Sequence, residues 1–433
     1  MTPQSHFMVL AAVDGSREPA LRALLASLNH SSGVVNPKNR IVPFDQFDRL
    51  HFARILILDD QTQGDMALVG VGRPNLPVYL AFLADFDGSY DSFVTKLIEQ
   101  AGPGLRQIFS HCQGFTPGTD LFRWMKDHEQ PPATMYVNWL GRTVRQIREE
   151  DALRVKLEAY IDREAGSLAG KRPAEVRGQL IQYVKQERDA GQLTLTAPAP
   201  TPLSWWLANL IHAAGVPFVL LLLTPFLLLY LPIFIIQLRI REHRDVEIAP
   251  RPAGELMERL TDIEDHDVSN QFSVIGSLKP GLFRRVTMTV ILWLANYAAR
   301  HIFNRGHLLR VNTIHFARWV FLDNKQRMFF ASNYDGSLDT YMDDFINKVR
   351  WGLNLIFSNG LGYPRTNWLI MDGAKAEQKY KYEIRRHELP TEVWYNAHPG
   401  LTAADLERNT LIREGVERTF LSEAETREWL KLF

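Results

Sequence analysis

The side chains with the greatest capacity for chemistry lie in the second half of the 433-residue chain. His315 and His398 carry imidazoles, which exchange protons near neutral pH. Asp335 can orient an imidazole or accept a proton, and Arg365 can bind an anion. These four residues are the predicted catalytic candidates, and the residues alone assign no cofactor-binding position.

Composition and motif spacing narrow the classes of function. Lys plus Arg and Asp plus Glu are balanced at 49 each, so the charge does not indicate a nucleic-acid partner. Cys112 is the single cysteine, which excludes internal disulfides and cysteine-based metal clusters. Histidine and carboxylate spacings typical of metal sites are absent, as are phosphate-binding loops and Gly-x-Ser-x-Gly. The sequence therefore predicts neither a metal site nor nucleic-acid binding.

Several segments of the chain occur twice in the same order. LHFARILILDD from Leu50 returns as IHFARWVFLDN from Ile314, and GLRQIFSHCQGF from Gly104 returns as GLNLIFSNGLGY from Gly352. Between them, AFLADFDGSYDSF matches FFASNYDGSLDTY. Ordered similarity of this kind indicates an internal duplication.

Hydrophobic periodicity gives each copy the order strand, helix, strand, strand, helix, strand. The last strand of the first copy is predicted at residues 135–137, where it would close the first sheet. This order is ferredoxin-like and leaves one face of each sheet uncovered. We therefore expect an α+β fold in which two ferredoxin-like repeats pack as a pseudo-symmetric α+β barrel, with a membrane hairpin inserted between them.

The predicted organisation has six segments. They are a first repeat (1–140), a charged helical connector (141–200), a membrane-embedded segment (201–240), an acidic linker (241–269), a second repeat (270–400) and a C-terminal helical segment (401–433).

Two ferredoxin-like repeats placed face to face resemble the dimeric α+β barrel superfamily, which includes dye-decolourising peroxidases and chlorite dismutases. The peroxidases carry a Gly-x-x-Asp-Gly motif whose Asp works at the distal face of haem. Residues 84–88 (ADFDG) and 332–336 (SNYDG) parallel that motif, with Ala or Ser in place of its first Gly. The resemblance implies a peroxidase-like oxidoreductase with haem as its cofactor.

The repeated polar residues allow structural and functional interpretations. Gly88 and Gly336 suit tight turns before helices, which makes the Asp-Gly-Ser segments structural, with Asp335 as an acid–base group the alternative. His315 and Arg318 are three residues apart on a strand, so we expect them on opposite faces. Arg318, like Arg54 in the first copy, would then anchor an ion pair, while His315 could face a cavity between the sheets.

An uncharged run from residue 190 to 238 predicts a membrane element. Interfacial tryptophans precede its core, three prolines interrupt it and arginines follow it: Trp205, Trp206, Pro217, Pro225, Pro232, Arg239 and Arg241. Halves that pack together must lie on one side of a bilayer, so we expect a hairpin reversing near Pro225, with a single span between independent domains as the rival. The arginines predict that both halves are cytoplasmic.

Three functional classes follow from these features. The first is a membrane-associated enzyme, redox in character, that acts on a lipid-like substrate entering between the sheets. The second is a protein that binds a hydrophobic small molecule without chemistry, and the third is a membrane scaffold. The lipid bilayer is the predicted partner in all three. The second copy's first helix is uncharged from residue 286 to 299, and we expect it to support the membrane segment or lie on the bilayer surface.

Overall fold

The chain forms a mixed α/β structure built on two four-stranded antiparallel sheets, which a computed structural model describes for residues 1–72 and 74–433. The strands are β1 (Gln4–Ala12), β2 (Asn29–Ser31), β3 (Val34–Val35), β4 (Leu50–Leu58), β5 (Tyr79–Asp87), β6 (Thr134–Val137), β7 (Ser269–Ser277), β8 (Ile314–Leu322), β9 (Arg327–Asp335), β10 (Thr366–Asn367), β11 (Met371–Asp372) and β12 (Thr391–Asn396).

The helices account for the connections and for the segment between the two halves. They are α1 (Glu18–Ala26), α2 (Tyr90–Phe109), α3 (Leu121–Asp127), α4 (Val144–Leu168), α5 (Pro173–Asp189), α6 (Leu203–Arg244), α7 (Gly254–Thr261), α8 (Leu282–His301), α9 (Leu338–Phe357), α10 (Glu377–His387), α11 (Ala403–Glu417) and α12 (Glu423–Trp429).

The two halves of the chain exchange their last strands. The first sheet has the order β1-β5-β4-β12 and the second has the order β6-β8-β9-β7. Strand β6 pairs with β8, and β12 pairs with β4, so each closing strand completes the sheet of the other half. The prediction that residues 135–137 close the first sheet is therefore wrong, because strand periodicity identifies a strand without identifying its partner.

Each central strand is apolar on both faces because both faces are covered. In β4, Ile55 and Ile57 join the core beneath the helices of the first half. The alternate residues Leu56 and Leu58 point to the other side, where they join a core shared with the second sheet. That shared core also contains Phe329 from β9, so the two sheets pack face to face.

One buried arginine from each sheet reaches across to the other sheet. Arg54 donates from Nη1 to the Phe272 carbonyl at 2.8 Å, and Arg318 donates from Nη1 to the Phe7 carbonyl at 2.7 Å. Arg318 also pairs with the buried Asp85, in agreement with its predicted role as an ion-pair anchor. Burial, followed by the charge of Arg318, lowers the pKa of Arg54 to about 9.

Helix α6 is one continuous helix of 42 residues. The predicted hairpin near Pro225 is therefore wrong. A proline removes one helical hydrogen bond but its fixed φ is compatible with a helix, so it bends the chain without reversing it. At about 1.5 Å per residue the helix is roughly 63 Å long, and it is long and apolar enough to cross a membrane.

Both ends of α6 contact the same helix, α8. Near its start, His212 Nδ1 lies 2.8 Å from His301 Nε2, and near its end the rings of Phe234 and Phe283 are 5.3 Å apart. The start of α6 thus lies beside the end of α8, and the end of α6 lies beside the start of α8. The two helices are therefore antiparallel. The uncharged first helix of the second copy therefore packs against the predicted membrane segment.

The C-terminal helices pack against the predicted connector. Ile412 of α11 and Trp429 of α12 share a core with Leu153 and Leu157 of α4 and with residues of α5. The end of the second half thus returns to the connector that follows the first.

The cross-sheet ion pair can be tested by removing its carboxylate. In Asp85→Ala, Arg318 loses its buried partner, and we expect the free energy of unfolding to fall by about 3–5 kcal/mol. Urea unfolding of the detergent-purified protein, followed by tryptophan fluorescence, measures the change. Asp91→Ala is the control, because the Asp91 side chain is 71% exposed and its loss should cost about 0–1 kcal/mol. Equal effects of the two substitutions would contradict the anchoring role.

Candidate functional site

Three buried histidines meet where the two sheets face each other. The ring centroids of His315 and His398 are 5.6 Å apart, and those of His51 and His398 are 6.3 Å apart. All three side chains are at least 96% buried. Three of the four predicted catalytic candidates therefore lie together. They are His315, His398 and Asp335, because Asp335 accepts a hydrogen bond from His315.

Each of the two repeated histidines pairs with the Asp of the Asp-Gly-Ser segment in its own half. His51 Nε2 lies 2.9 Å from Asp87 Oδ1, and His315 Nε2 lies 2.7 Å from Asp335 Oδ1. The second carboxylate oxygen accepts a backbone N–H at the start of a helix, from Val144 for Asp87 and from Ala403 for Asp335. A carboxylate in this position stabilises the helix start, so both pairs have a structural role.

A β-bulge places these histidines on the face shared by the two sheets. The register of β4 shifts between Leu50 and Phe52, and the same shift occurs in β8 around His315. As a result His51, like Arg54, contacts the other sheet, with its ring 5.4 Å from that of Phe316. The prediction that histidine and arginine point to opposite faces is wrong, because a bulge inserts one residue and breaks the alternation.

His398 is the one histidine of the cluster that has no histidine counterpart in the other half. The Ala397 N–H bonds the His51 carbonyl and the Asn138 N–H bonds the His315 carbonyl, each at 2.9 Å. His398 therefore occupies the position of Trp139 in the other half. Its Nδ1 has no hydrogen-bond partner among the described residues. Burial of His398, followed by the electrostatic effect of the neighbouring His315 and His51, holds its pKa well below the usual range for histidine.

Arg365 lies away from this cluster. Its Nε donates to the Asp245 carbonyl at 2.8 Å and its backbone N–H to Glu247 at 2.9 Å, in the segment that follows α6. The structure therefore does not bring Arg365 together with the other three candidates. Its contacts connect the loop before β10 to the end of the membrane helix.

The histidine cluster borders only a small recess. Its volume is about 20 Å³, with Gln4, Arg142 and the three histidines among its lining. A recess of this size holds about one water molecule. The guanidinium of Arg142 lies 4.1 Å from the Trp139 ring centroid, a cation–π contact at the recess wall that the sequence did not indicate.

A second and much larger site lies in the second half, between sheet β6-β8-β9-β7 and helices α8 and α9. It is an apolar cavity of about 380 Å³. Aromatic and aliphatic side chains dominate its walls, among them Tyr136, Phe272, Ile291, Leu294, Trp319, Phe330, Phe345, Val349, Trp351 and Leu355. The large cavity therefore does not lie between the two sheets, where it was predicted. The shared core and the crossing arginines fill the space between the sheets.

The cavity wall is mostly apolar; two of its few polar groups bond to protein, whereas the buried Trp319 Nε1 has no hydrogen-bond partner among the described residues. Thr134 Oγ1 donates to the Leu292 carbonyl at 2.7 Å, and Tyr341 OH donates to Ser332 Oγ at 3.0 Å. The wall therefore offers a hydrocarbon surface. A buried ligand group would be recognised by its shape and apolarity.

At the matching place in the first half, the chain itself fills the space. At Gly104 an added Cβ would lie 1.9 Å from the Ile41 carbonyl oxygen, so backbone packs directly on that glycine. At the matching Gly352 the nearest atom to an added Cβ is Leu309 Cδ1, at 3.7 Å. The aromatic rings of Phe86 and Phe93 also stack at 4.0 Å in the first core.

The helix beside the cavity is interrupted where the sequences of the two copies differ most. Within α9, Val349 has φ −143° and ψ 30°, which breaks the regular helix before Trp351. The first copy reads AGPG where the second reads VRWG. This local difference between the copies is the feature of the sequence from which the cavity could have been predicted.

The recess beside the histidines is far too small for a porphyrin. The wall of the large cavity contains tyrosine and Met342 but neither histidine nor cysteine, so the histidine ligand of the resembled peroxidases has no counterpart there. Comparison of the chain with protein-family models, curated proteins and solved structures finds no match.

Burial of His398 predicts a pH dependence of stability. Because its pKa is lower in the folded protein than the ordinary value of 6.5, the unfolded chain binds more protons as the pH falls below that value. Relative to His398→Leu, the wild type should therefore lose stability on acidification below pH 6.5, by up to about 1.4 kcal/mol per pH unit. Urea unfolding of both proteins between pH 5 and 8 measures this difference. Parallel pH profiles would show that His398 titrates normally.

Proposed function

We propose that the chain is a membrane-attached protein that binds a hydrophobic molecule in the cavity beneath α8 and α9. The observation that carries the proposal is an apolar cavity of about 380 Å³ next to a helix whose middle is exposed. This volume falls in the range of about 300–1,000 Å³ that is usual for small-molecule sites.

Membrane attachment is supported by the exposure of α6. Every residue from 221 to 233 is exposed, including Leu221 at 69% and Leu229 at 77%. An apolar surface of this kind is unfavourable in water and favourable in a bilayer. Trp206 and Trp368 are also exposed near the two ends of the helix, and tryptophan is enriched at membrane interfaces.

The geometry of α6 favours a helix embedded along the bilayer surface over one that crosses it between two domains. Its start contacts α8 through His212 and its end is held by the second half, where Glu242 accepts the Leu369 N–H at 2.8 Å. One body therefore holds both ends. On α8, exposed Leu282, Val286 and Val290 extend the apolar surface at four-residue spacing.

The cavity lies directly under this apolar surface. Phe234 and Leu238 of α6 cluster with Ile291 of α8 and Leu355 of α9, and the last two also line the cavity. Leu294, which is 39% exposed, belongs both to the cavity wall and to the outer face of α8. A hydrophobic molecule dissolved in the bilayer would reach the cavity without passing through water.

We also infer that the two halves are ferredoxin-like repeats in a pseudo-symmetric α+β barrel arrangement. Matching sheet orders, reciprocal exchange of the closing strands and equivalent His–Asp pairs support this inference. Oxidoreductase activity remains a prediction, and the residues that line the two sites do not favour it. The arginines after residue 238 support a cytoplasmic position of both halves.

Charges placed on α6 test membrane attachment. The wild type should stay in the membrane pellet after high-salt and alkaline washing. The triple variant Leu222→Lys, Phe226→Lys, Leu229→Lys should move to the supernatant, because each buried charge opposes insertion by about 2 kcal/mol or more.

The matched control is Val155→Lys, which adds a charge to a residue that is 49% exposed on the connector helix α4. It should remain with the membrane. Release of the wild type by salt alone, or retention of the triple variant, would contradict insertion of α6.

Filling the cavity tests ligand binding. Ala298 lines it, and Ala298→Trp should occupy the space that a ligand needs. We expect organic extracts of the purified wild type to contain a hydrophobic molecule at close to one equivalent, and extracts of the variant to contain about tenfold less. Mass spectrometry quantifies both. Ala159→Trp, on an exposed face of α4, is the control and should match the wild type. Equal amounts from all three proteins would contradict binding in the cavity.

A further inference from the structure

The cavity reaches the protein surface at a mouth formed by Trp351 and the loop after α8. Trp351 is 49% exposed and belongs to the cavity wall. Leu308 and Leu309, in the loop after α8, line the cavity as well, and Leu309 Cδ1 lies 3.7 Å from the position of a Cβ on Gly352. The loop and the interrupted part of α9 therefore meet at this opening.

Two arginines flank these residues in the sequence. Arg310 follows Leu309 and Arg350 precedes Trp351, and both are exposed. Among the described residues neither has a carboxylate within 4.0 Å. On α9, Asp344 binds Lys348 at 2.8 Å and Asp343 binds Lys381 at 2.7 Å. Two exposed arginines without a carboxylate partner among the described residues are thus next in sequence to residues that line the hydrocarbon space.

The backbone of the loop supports a specialised role. Leu309 has φ 57°, in the left-handed region that a bulky residue rarely adopts. This conformation is unfavourable by itself and persists where the surroundings fix it. Its consequence is that the Leu309 side chain is held against α9 while Arg310 stays exposed.

From these observations we propose that the cavity binds the hydrocarbon tail of a single-chain anionic lipid, with the carboxylate or phosphate headgroup held by Arg310 and Arg350. The proposal rests on ligand binding in the cavity and adds the class of ligand. The wall is almost entirely apolar, which disfavours a charged headgroup in the interior, whereas arginine suits a planar or multi-oxygen anion at the mouth. The cavity is at the small end of the usual range for ligand sites, which favours one tail over two.

Ligands with one tail and different headgroups test the assignment. Equilibrium binding of dodecanoate, dodecyl phosphate, dodecanol and dodecyltrimethylammonium to the full chain, in a bulky sterol-based non-ionic detergent, compares them directly. We expect at least one anionic ligand to bind about tenfold more tightly than dodecanol, and the cationic ligand to bind more weakly still. The dodecanoate and dodecyl phosphate arms distinguish the two headgroups.

Substitutions locate the charge preference. The double variant Arg310→Gln, Arg350→Gln should bind dodecanol as the wild type does and lose the preference for the anion, together with its salt dependence. Arg123→Gln is the control, because the Arg123 side chain is 83% exposed in the first half, and it should keep the preference. Unchanged circular dichroism and thermal midpoint establish that the variants are folded.

The outcomes separate the two proposals. If dodecanol binds as tightly as both anions, or if the double variant keeps the preference, the headgroup assignment is overturned while ligand binding stands. If Ala298→Trp leaves the binding of all four ligands unchanged, or if none of them binds, ligand binding in the cavity fails as well.

Discussion

Exchange of the closing strands holds the two halves of this chain together. Strand β12 completes the first sheet and β6 completes the second, so neither sheet has all four of its strands without the other half. The buried arginines reinforce this dependence, because Arg54 and Arg318 each satisfy their hydrogen bonds on the opposite sheet. Removing either half would leave a sheet edge unpaired and a buried charge without partners, both of which are costly in a folded protein.

This constraint determines the position of the long apolar helix α6. Because the two halves form one body, the connection between them must leave it and return to it, and α6 does so with both ends on the second half. Packing of α6 along α8 recruits that helix to the apolar surface. The second core therefore lies beneath an exposed apolar layer, and its incomplete packing leaves the cavity. In the first half, by contrast, backbone at Ile41 closes on Gly104 and the core is full.

The sequence predicted most strands and helices and the long apolar helix α6, because these depend on local periodicity. The repeated His-Phe-Ala-Arg segments lie on β4 and β8, at matching positions of the two sheets. Strand exchange was missed because β6 has the same pattern whichever sheet it joins. The opposite faces predicted for His315 and Arg318 failed at one bulge, which a single inserted residue creates without a sequence signature. His315, Asp335 and His398 lie together, and Asp335 accepts a backbone N–H at a helix start. The cavity depends on Leu309 and Gly352, whose contacts cross segments distant in sequence.

Thiol labelling in intact cells tests most directly whether the two halves form one body on one side of the membrane. With Cys112→Ala as the background, single cysteines replace the exposed Ser16 in the first half and the exposed Ala376 in the second. A membrane-impermeant maleimide should treat both positions alike, sparing both if the halves are cytoplasmic, while a permeant maleimide modifies both. Modification of one position with protection of the other would place the halves on opposite sides, which strand exchange and a helix held at both ends by one body do not allow.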